Sequence, residues 1–369
     1  MITAHTDVVG SLLRPVALRK ARDDWVAGRL SHAQFKSIED RAVDEAISLQ
    51  EAAGLDVVTD GEMRRLSFQS QMTEAVDGFG PWDIHAFLWG HWHGDGAVGE
   101  RRRARPANLG VVSRLVRKRH LAAEEFVYLR GRTSRVAKVT LPSPSLFVNF
   151  WSPERSQSAY ASLEHFLADV VAILRDEVAE LVRLGATYIQ IDAPHYPLLL
   201  APETRTFYES RGWTLEQWLS RGIELDNAVM AGSADVTFAI HLCRGNQEGR
   251  WLVEGDYEPI ARPIFQRIGA TRLLLEYDDD RSGSFAPLRH VPDDKMVVLG
   301  LISTKRPQME APEDLIRRIT QASRFVALER LALSTQCGFA SSILGNGLSI
   351  DDERRKLATV CETARRTWR

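Results

Sequence analysis

TFAIHLCRGN, residues 237–246, is an apolar, β-rich run that stops at a histidine and, two positions later, a cysteine. A chain of 369 residues with only ten histidines and three cysteines has set one of each at the end of what reads as a buried strand. Runs of the same kind recur on both sides of it. They lie at 6–11 (TDVVGS), 55–59 (LDVVT), 136–141 (VAKVTL), 187–192 (TYIQID), 272–277 (RLLLEY), 296–301 (MVVLGL) and 331–335 (LALST), with 236–241 making eight. Most are followed by Gly, Pro, Asp or Ser and then by apolar residues at helical spacing. SAYASLEHFLADVVAILRDEVAELVRLG carries Gly185 where the helix should end, and APEDLIRRITQASRFVAL opens with Pro312, Glu313 and Asp314 in the first turn. Continuous apolar strands alternating with helices predict a parallel sheet covered on both faces. Eight such units predict an α/β fold of one (β/α)8 TIM barrel spanning residues 1–369.

The stretch 78–135 breaks the rhythm. It holds Trp82, His85, Trp89, His91, Trp92 and His93 in a Gly-rich run, then SRLVRKRHLAAEEFVYLRG, which reads as helical. It is expected as an insertion after the second strand, serving as a lid or an oligomer contact.

Bulk properties narrow the function classes. A formal net charge of −2 gives no overall field for nucleic acid, and Arg101–Arg103 and Arg117–Arg119 read as solvated faces. No run reaches the roughly 18–20 apolar residues of a membrane span. The N-terminus has no apolar core of a secretory signal. Cys243, Cys337 and Cys361 do not form a disulfide framework. The expectation is a cytoplasmic protein, with Cys361 a small hydrophobe in the last helix.

In barrels of this kind the chemistry sits at the C-terminal ends of the strands. Reading only those positions gives Ser11, Asp60 and Glu62, Asp192, His241 with Cys243, Glu276, and Cys337. One imidazole, two thiolates and a carboxylate are a plausible tetrahedral set for zinc, assembled by the fold from distant segments. Glu276 is the least fixed member, since Asp278, Asp279 and Asp280 offer other carboxylates. His91-Trp92-His93 is a rival metal pair by composition, in a Gly-rich loop with no cysteine beside it.

The motifs TDVVGSLLRP, GLDVVTDGEMRR, YIQIDAP, HLCRGN, LLLEYDDD, GLISTK and STQCGF, in this order over nearly the whole chain, carry a resemblance. The chain resembles the catalytic C-terminal half of cobalamin-independent methionine synthase, and still more its single-barrel relatives. The resemblance implies a zinc ion on His241, Cys243, Glu276 and Cys337. It also implies that the amino-acid end of homocysteine is held by Ser11, Glu62 and Asp192. The activity implied is methyl transfer to a small-molecule thiol held as a thiolate, with Asp192, His195 and Asp278 as candidate acids or bases. The second barrel that helps full-length synthases hold folate has no counterpart here. The alkyl donor is therefore open between folate, a corrinoid, and an epoxide opened by coenzyme M. Two carboxylates suit an ammonium-bearing thiol such as homocysteine and repel a sulfonate. IDAPHYPLLL places His195 and Tyr196 where substrate contacts are expected. The competing readings are a metal-free barrel like the uroporphyrinogen decarboxylase group and a non-catalytic protein with a structural zinc.

Overall fold

The computed structural model describes residues 2–82, 84, 89–96 and 98–368, so His85 lies outside the described residues. Its strands are β1 (Val57–Val58), β2 (Val76–Phe79), β3 (Gly90–Trp92), β4 (Arg101–Arg103), β5 (Val111–Arg117), β6 (Val136–Pro142), β7 (Tyr188–Asp192), β8 (Thr237–Leu242), β9 (Arg272–Glu276), β10 (Met296–Ile302) and β11 (Leu331–Thr335). Seven of them form one curled parallel sheet in the order β1-β6-β7-β8-β9-β10-β11. The order is sequential because each step crosses over through an α-helix, except β9 to β10, which is joined by two short 3-10 turns. One such crossover is the helix Leu163–Arg183, capped by Ser162 accepting from the His165 amide and stopped by Gly185 at φ +92°.

Seven of the eight expected strands are thus in the sheet. The run 6–11 is not a regular strand: Thr6 makes a single parallel bridge to Leu333 on β11. Buried side chains take the backbone groups that a ladder would use. The Lys138 ammonium donates to the Val8 carbonyl, the Gln190 amide donates to the Val9 carbonyl at 2.7 Å, and the Val8 amide donates to Asp7 Oδ1 at 2.9 Å. Thr6 reaches the other edge through its hydroxyl, donating to Asp56 at 2.8 Å.

Two apolar layers follow from the alternation of the strands. Val9, Val57, Tyr188, Ala239, Leu274, Val298 and Ala332 fill the inside of the curl, and a larger core lies between the sheet and its helices. The same parity that points Tyr188, Ala239 and Leu274 inward points Asp192, His241 and Glu276 inward nearer the strand ends. Register puts Asp192 opposite His241 and His241 opposite Leu274, so Glu276 stands two residues farther along, level with the chain just past β8.

Residues 78–135 depart from the helical reading. Val111–Arg117 is a strand that pairs antiparallel with β2, because its alternating residues suit a half-covered sheet. Of the part read as helical, Ala123–Arg130 forms an α-helix. β3 and β4 form a separate hairpin. The two basic clusters are ion-paired: Arg101 with Glu248 at 2.5 Å, Lys118 with Asp77 at 2.8 Å, Arg117 with Asp176 at 3.6 Å. Among the described residues no helix is long and apolar enough to cross a membrane. Cys361 is buried in the helix Ile350–Thr367, and burial pushes its thiol up to about 12.

Candidate active site

Past the end of β8 the chain turns, and His241 and Cys243 still face the same interior. Cys337 arrives from the loop after β11. Ligand atoms of His241, Cys243 and Cys337 all lie within 4.8 Å of one another, and all three residues are buried. The two sulfurs stand 3.5 Å apart. A disulfide needs about 2.05 Å, whereas two thiolates on a tetrahedral zinc with Zn–S about 2.3 Å stand about 3.8 Å apart. Neither ring nitrogen of His241 has a hydrogen-bond partner, although both are buried. An unpartnered buried imidazole beside two sulfurs is the donor set that a borderline-soft metal ion satisfies.

Electrostatics separates the two thiols. The hydrogen bond from Cys243 holds the Cys337 thiol well below the usual range, with His241 and Lys305 adding to it against the effect of burial. That same hydrogen bond and burial push the Cys243 thiol up. Burial disfavours the His241 imidazolium, but Cys337, Asp192 and Glu276 outweigh it and raise its pKa. The two shifts point the same way: negative charge is easier to place on Cys337 than on Cys243.

Glu276, the expected fourth ligand, is not in the group whose ligand atoms lie within 4.8 Å of one another, and its oxygens are otherwise engaged. Its Oε1 accepts from the Lys305 ammonium at 2.7 Å, and its Oε2 accepts from the Arg244 amide at 2.9 Å. Burial raises its pKa, opposed chiefly by Lys305. Asp278, also buried, sits 3.7 Å from the same ammonium, while Asp279 pairs with Arg281 and Arg306. Among the candidate carboxylates Glu276 is the one on the inward face beside Cys243.

The cluster opens into a cavity of about 1000 Å³, mouth included, whose walls include Ser11, Glu62, Asp192, His241, Cys243 and Cys337. Ile84, Trp89, Trp92, Leu146, Leu198 and Leu252 make much of the remaining wall apolar, with Asn149, Thr204 and Asn246 among them. Ile84, Trp89 and Trp92 in that wall come from the stretch 78–135.

Each polar residue at the floor is held by a definable device. Asp192 is oriented by a chain of polar groups inside the curl of the sheet. Asp7 accepts from Lys138 at 2.8 Å, and Lys138 donates to Gln190 Oε1 at 2.8 Å. An ammonium only donates, so the Gln190 oxygen must face it and the NH2 must face the other way. That NH2 donates to Asp192 Oδ1 at 2.8 Å. Burial, partly opposed by His241, brings the Asp192 carboxyl up to about 7. Glu62 adopts φ +54°, a left-handed conformation that a non-glycine residue holds only under local constraint. Its Oε1 accepts from Thr140 at 2.8 Å, and its buried Oε2 has no partner. Ser11 packs on Gly338, where a Cβ would stand 1.9 Å from the Ser11 Oγ. A glycine after Cys337 is therefore what lets Ser11 and the sulfur share one floor.

The structure does not bring His195 to the pocket. It is fully buried, its Nε2 faces the Ser145 hydroxyl at 2.8 Å, and burial drives its pKa down to about 3. Tyr196 likewise points away, donating to Asp226 at 2.5 Å. Two participants escaped the sequence reading. Gln190 sits inside the quoted YIQID, two residues before Asp192, and its role depends on the distant Lys138. Lys305 lies three residues past the end of β10, a strand end that the sequence reading passed over. The GLISTK motif contained it.

With this geometry in place, three comparisons identify related proteins. The family model described as "Cobalamin-independent synthase, Catalytic domain" matches residues 2–346. The protein YxjH of Bacillus subtilis is 34% identical over 99% of this chain and 95% of its own length. A protein named methionine synthase in Thermococcus kodakarensis is 25% identical over 90% of this chain and 86% of its own. A 5-methyltetrahydropteroyltriglutamate–homocysteine methyltransferase of Syntrophotalea carbinolica is 26% identical over 91% of this chain, which spans only 40% of that protein. Among solved structures, a Listeria monocytogenes protein assigned to the vitamin-B12 independent methionine synthases matches with TM-score 0.73 and 25% identity, over 99% of this chain and 98% of its own. A B12-independent methionine synthase from Shewanella sp. W3-18-1, solved with selenomethionine, shares the fold with TM-score 0.72 and 20% identity over 99% of this chain and 97% of its own.

Proposed function

The chain belongs to the family of cobalamin-independent methionine synthase catalytic domains, a family of methyltransferases, and from that premise we propose that it transfers a methyl group to the thiol of homocysteine or a close analogue with the help of zinc. The observation that carries the proposal is the pair of sulfurs 3.5 Å apart beside an unpartnered imidazole, at the floor of a pocket that also holds Ser11, Glu62 and Asp192. His241, Cys243 and Cys337 would hold the metal, with Glu276 as an exchangeable fourth ligand. Zinc bound there would lower the pKa of an acceptor thiol, which in water is about 8.5.

The chain's own residues supply the rest. Glu62, with one buried carboxylate oxygen unpartnered, and Asp192 face the position suited to the acceptor's ammonium. Ser11 is placed to bond its carboxylate end. A group with a pKa of about 7 is poised to hold or release a proton at neutral pH, and Asp192 is therefore the candidate acid at the departing donor. The largely apolar wall excludes water and would align the donor's methyl group with the sulfur. A reduced methylfolate is the donor named in the Syntrophotalea relative, and it is the one proposed here. The corrinoid alternative has no support from a family defined by independence of cobalamin.

The fold proposed is a closed (β/α)8 barrel in which residues 6–11 fill the place of the first strand, between β11 and β1. The stretch 78–135 is an insertion that walls its mouth, and the setting proposed is cytoplasmic. The test is turnover of zinc-loaded protein with homocysteine and 5-methyltetrahydrofolate carrying a deuterated methyl group. Deuterated methionine is the expected product, and its non-appearance with fully loaded protein would reject this donor and acceptor pair.

A further inference from the structure

The hairpin that walls the pocket has a second face. Side chains alternate along β3, so Trp92 turns into the cavity while His91 and His93 turn outward together. Glu100, just before β4, meets them there. Its Oε2 lies 3.0 Å from His91 Nε2 and its Oε1 lies 3.7 Å from His93 Nδ1. The two imidazoles stand with ring centroids 4.5 Å apart, and one ligand atom from each of the three residues falls within 4.8 Å of the others.

We infer that the outer face of the β3–β4 hairpin is a second metal site, taking a divalent ion of borderline softness such as Zn2+ or Ni2+ through His91, His93 and Glu100. Two imidazoles at i and i+2 and one carboxylate on a single face leave the remaining positions of such an ion to water. Zn–N bonds of about 2.0–2.1 Å place ligand atoms about 3.3 Å apart, so small rotations of exposed side chains close the set. The three side chains are only partly covered, 29%, 34% and 63% exposed, which leaves room for those rotations. Backbone geometry supports the placement, since His93 pairs with Trp251 through 2.8 and 3.0 Å hydrogen bonds on the side away from β4. The position of both histidines is thereby fixed by strands on either side.

The site is weaker than the buried cluster for two reasons. It has no thiolate, and Arg102, opposite His91 in the register and 70% exposed, brings a positive charge to the same face. An ion there would clip the end of β3 to the start of β4 and stiffen the hairpin whose inner face carries Trp92. The inference does not rest on the proposed methyl transfer.

The experiment is a calorimetric titration of the EDTA-stripped full chain with Zn2+ at pH 7.5. Two equivalents are expected, the second at least tenfold weaker than the first. His93→Ala and Glu100→Gln should each remove the weaker equivalent and keep the tighter. The Cys243→Ser/Cys337→Ser double variant should lose the tighter and keep the weaker. A single equivalent in the parent protein, or a weaker equivalent that survives His91→Ala/His93→Ala, would overturn the second site. Failure of the buried site would show separately, as a cysteine double variant indistinguishable from the parent.

Discussion

Lys305→Met isolates the contribution of one buried charge. In the metal-free protein the Lys305 ammonium lies 2.7 Å from Glu276 and 3.7 Å from Asp278, and all three side chains are at most 4% exposed. Burial raises the pKa of both carboxyls, and Lys305 is the largest influence opposing it at each. Replacing it by an apolar chain of similar length leaves an uncompensated buried carboxylate, a loss of about 3–5 kcal/mol. That is a large share of a typical stability of about 5–15 kcal/mol. With a urea dependence of about 3 kcal/mol per molar, the unfolding midpoint of the metal-free variant should fall by about 1–2 M. With zinc bound, the metal compensates Glu276 and the loss should be smaller. By linkage, the difference appears as tighter zinc binding, tenfold for every 1.4 kcal/mol by which the metal-free form suffers more than the loaded one. The assay is urea unfolding with and without zinc, together with a competition titration against a chromophoric chelator. Weaker zinc binding, or equal destabilisation of both forms, would refute the idea that Glu276 is shared between Lys305 and the metal.

Other outcomes follow from the same geometry. Gly338→Ala places a methyl 1.9 Å from the Ser11 Oγ and 3.0 Å from the Ser11 carbonyl; overpacking of about 1–3 kcal/mol should lower Tm by several degrees and weaken acceptor binding, and an unchanged Tm would show that the loop relaxes freely. His195 is neutral in the fold with a pKa of about 3 against about 6.5 unfolded. The unfolded chain therefore binds the extra proton, and stability is lost as pH falls below about 6.5. Between pH 7.5 and 5.5 the parent should lose about 1.4 kcal/mol more than His195→Gln, and equal losses in urea unfolding would show that His195 does not titrate this way. Glu62→Gln should raise KM for the acceptor several-fold while zinc content stays at one equivalent in the buried site; loss of the metal would make Glu62 structural.

Much of this site was legible before the fold was known, and the reason is parity. His241 and Cys243 are two apart, and Asp192 and Glu276 end runs whose alternation aims them the same way, so strand-end reading collects them without coordinates. Ser11 and Glu62 also came from the strand-end reading, the resemblance gave them their role, and both lie at the same floor. The sequence could not show that Glu276 is engaged by Lys305, because that pairing spans 29 residues and two strands. Nor could it show that 6–11 forgoes a ladder, since the competing donors, Lys138 and Gln190, come from other strands. His195 illustrates the opposite error. Its position after a catalytic strand suggested chemistry, but the short helix His195–Leu198 turns it into the core. Val111–Arg117 misled because its apolar residues also fit a helical face, and only β2 as a partner decides for a strand.

The central claim is that the buried sulfur–imidazole cluster binds zinc and activates a thiol. Zinc X-ray absorption of protein loaded with one equivalent of zinc, before and after adding homocysteine, tests it most directly. The account predicts two sulfur ligands at about 2.3 Å beforehand and three afterwards, with one oxygen ligand lost as Glu276 returns to Lys305. An unchanged spectrum on saturation with homocysteine, or a buried site that takes up no zinc, would contradict it.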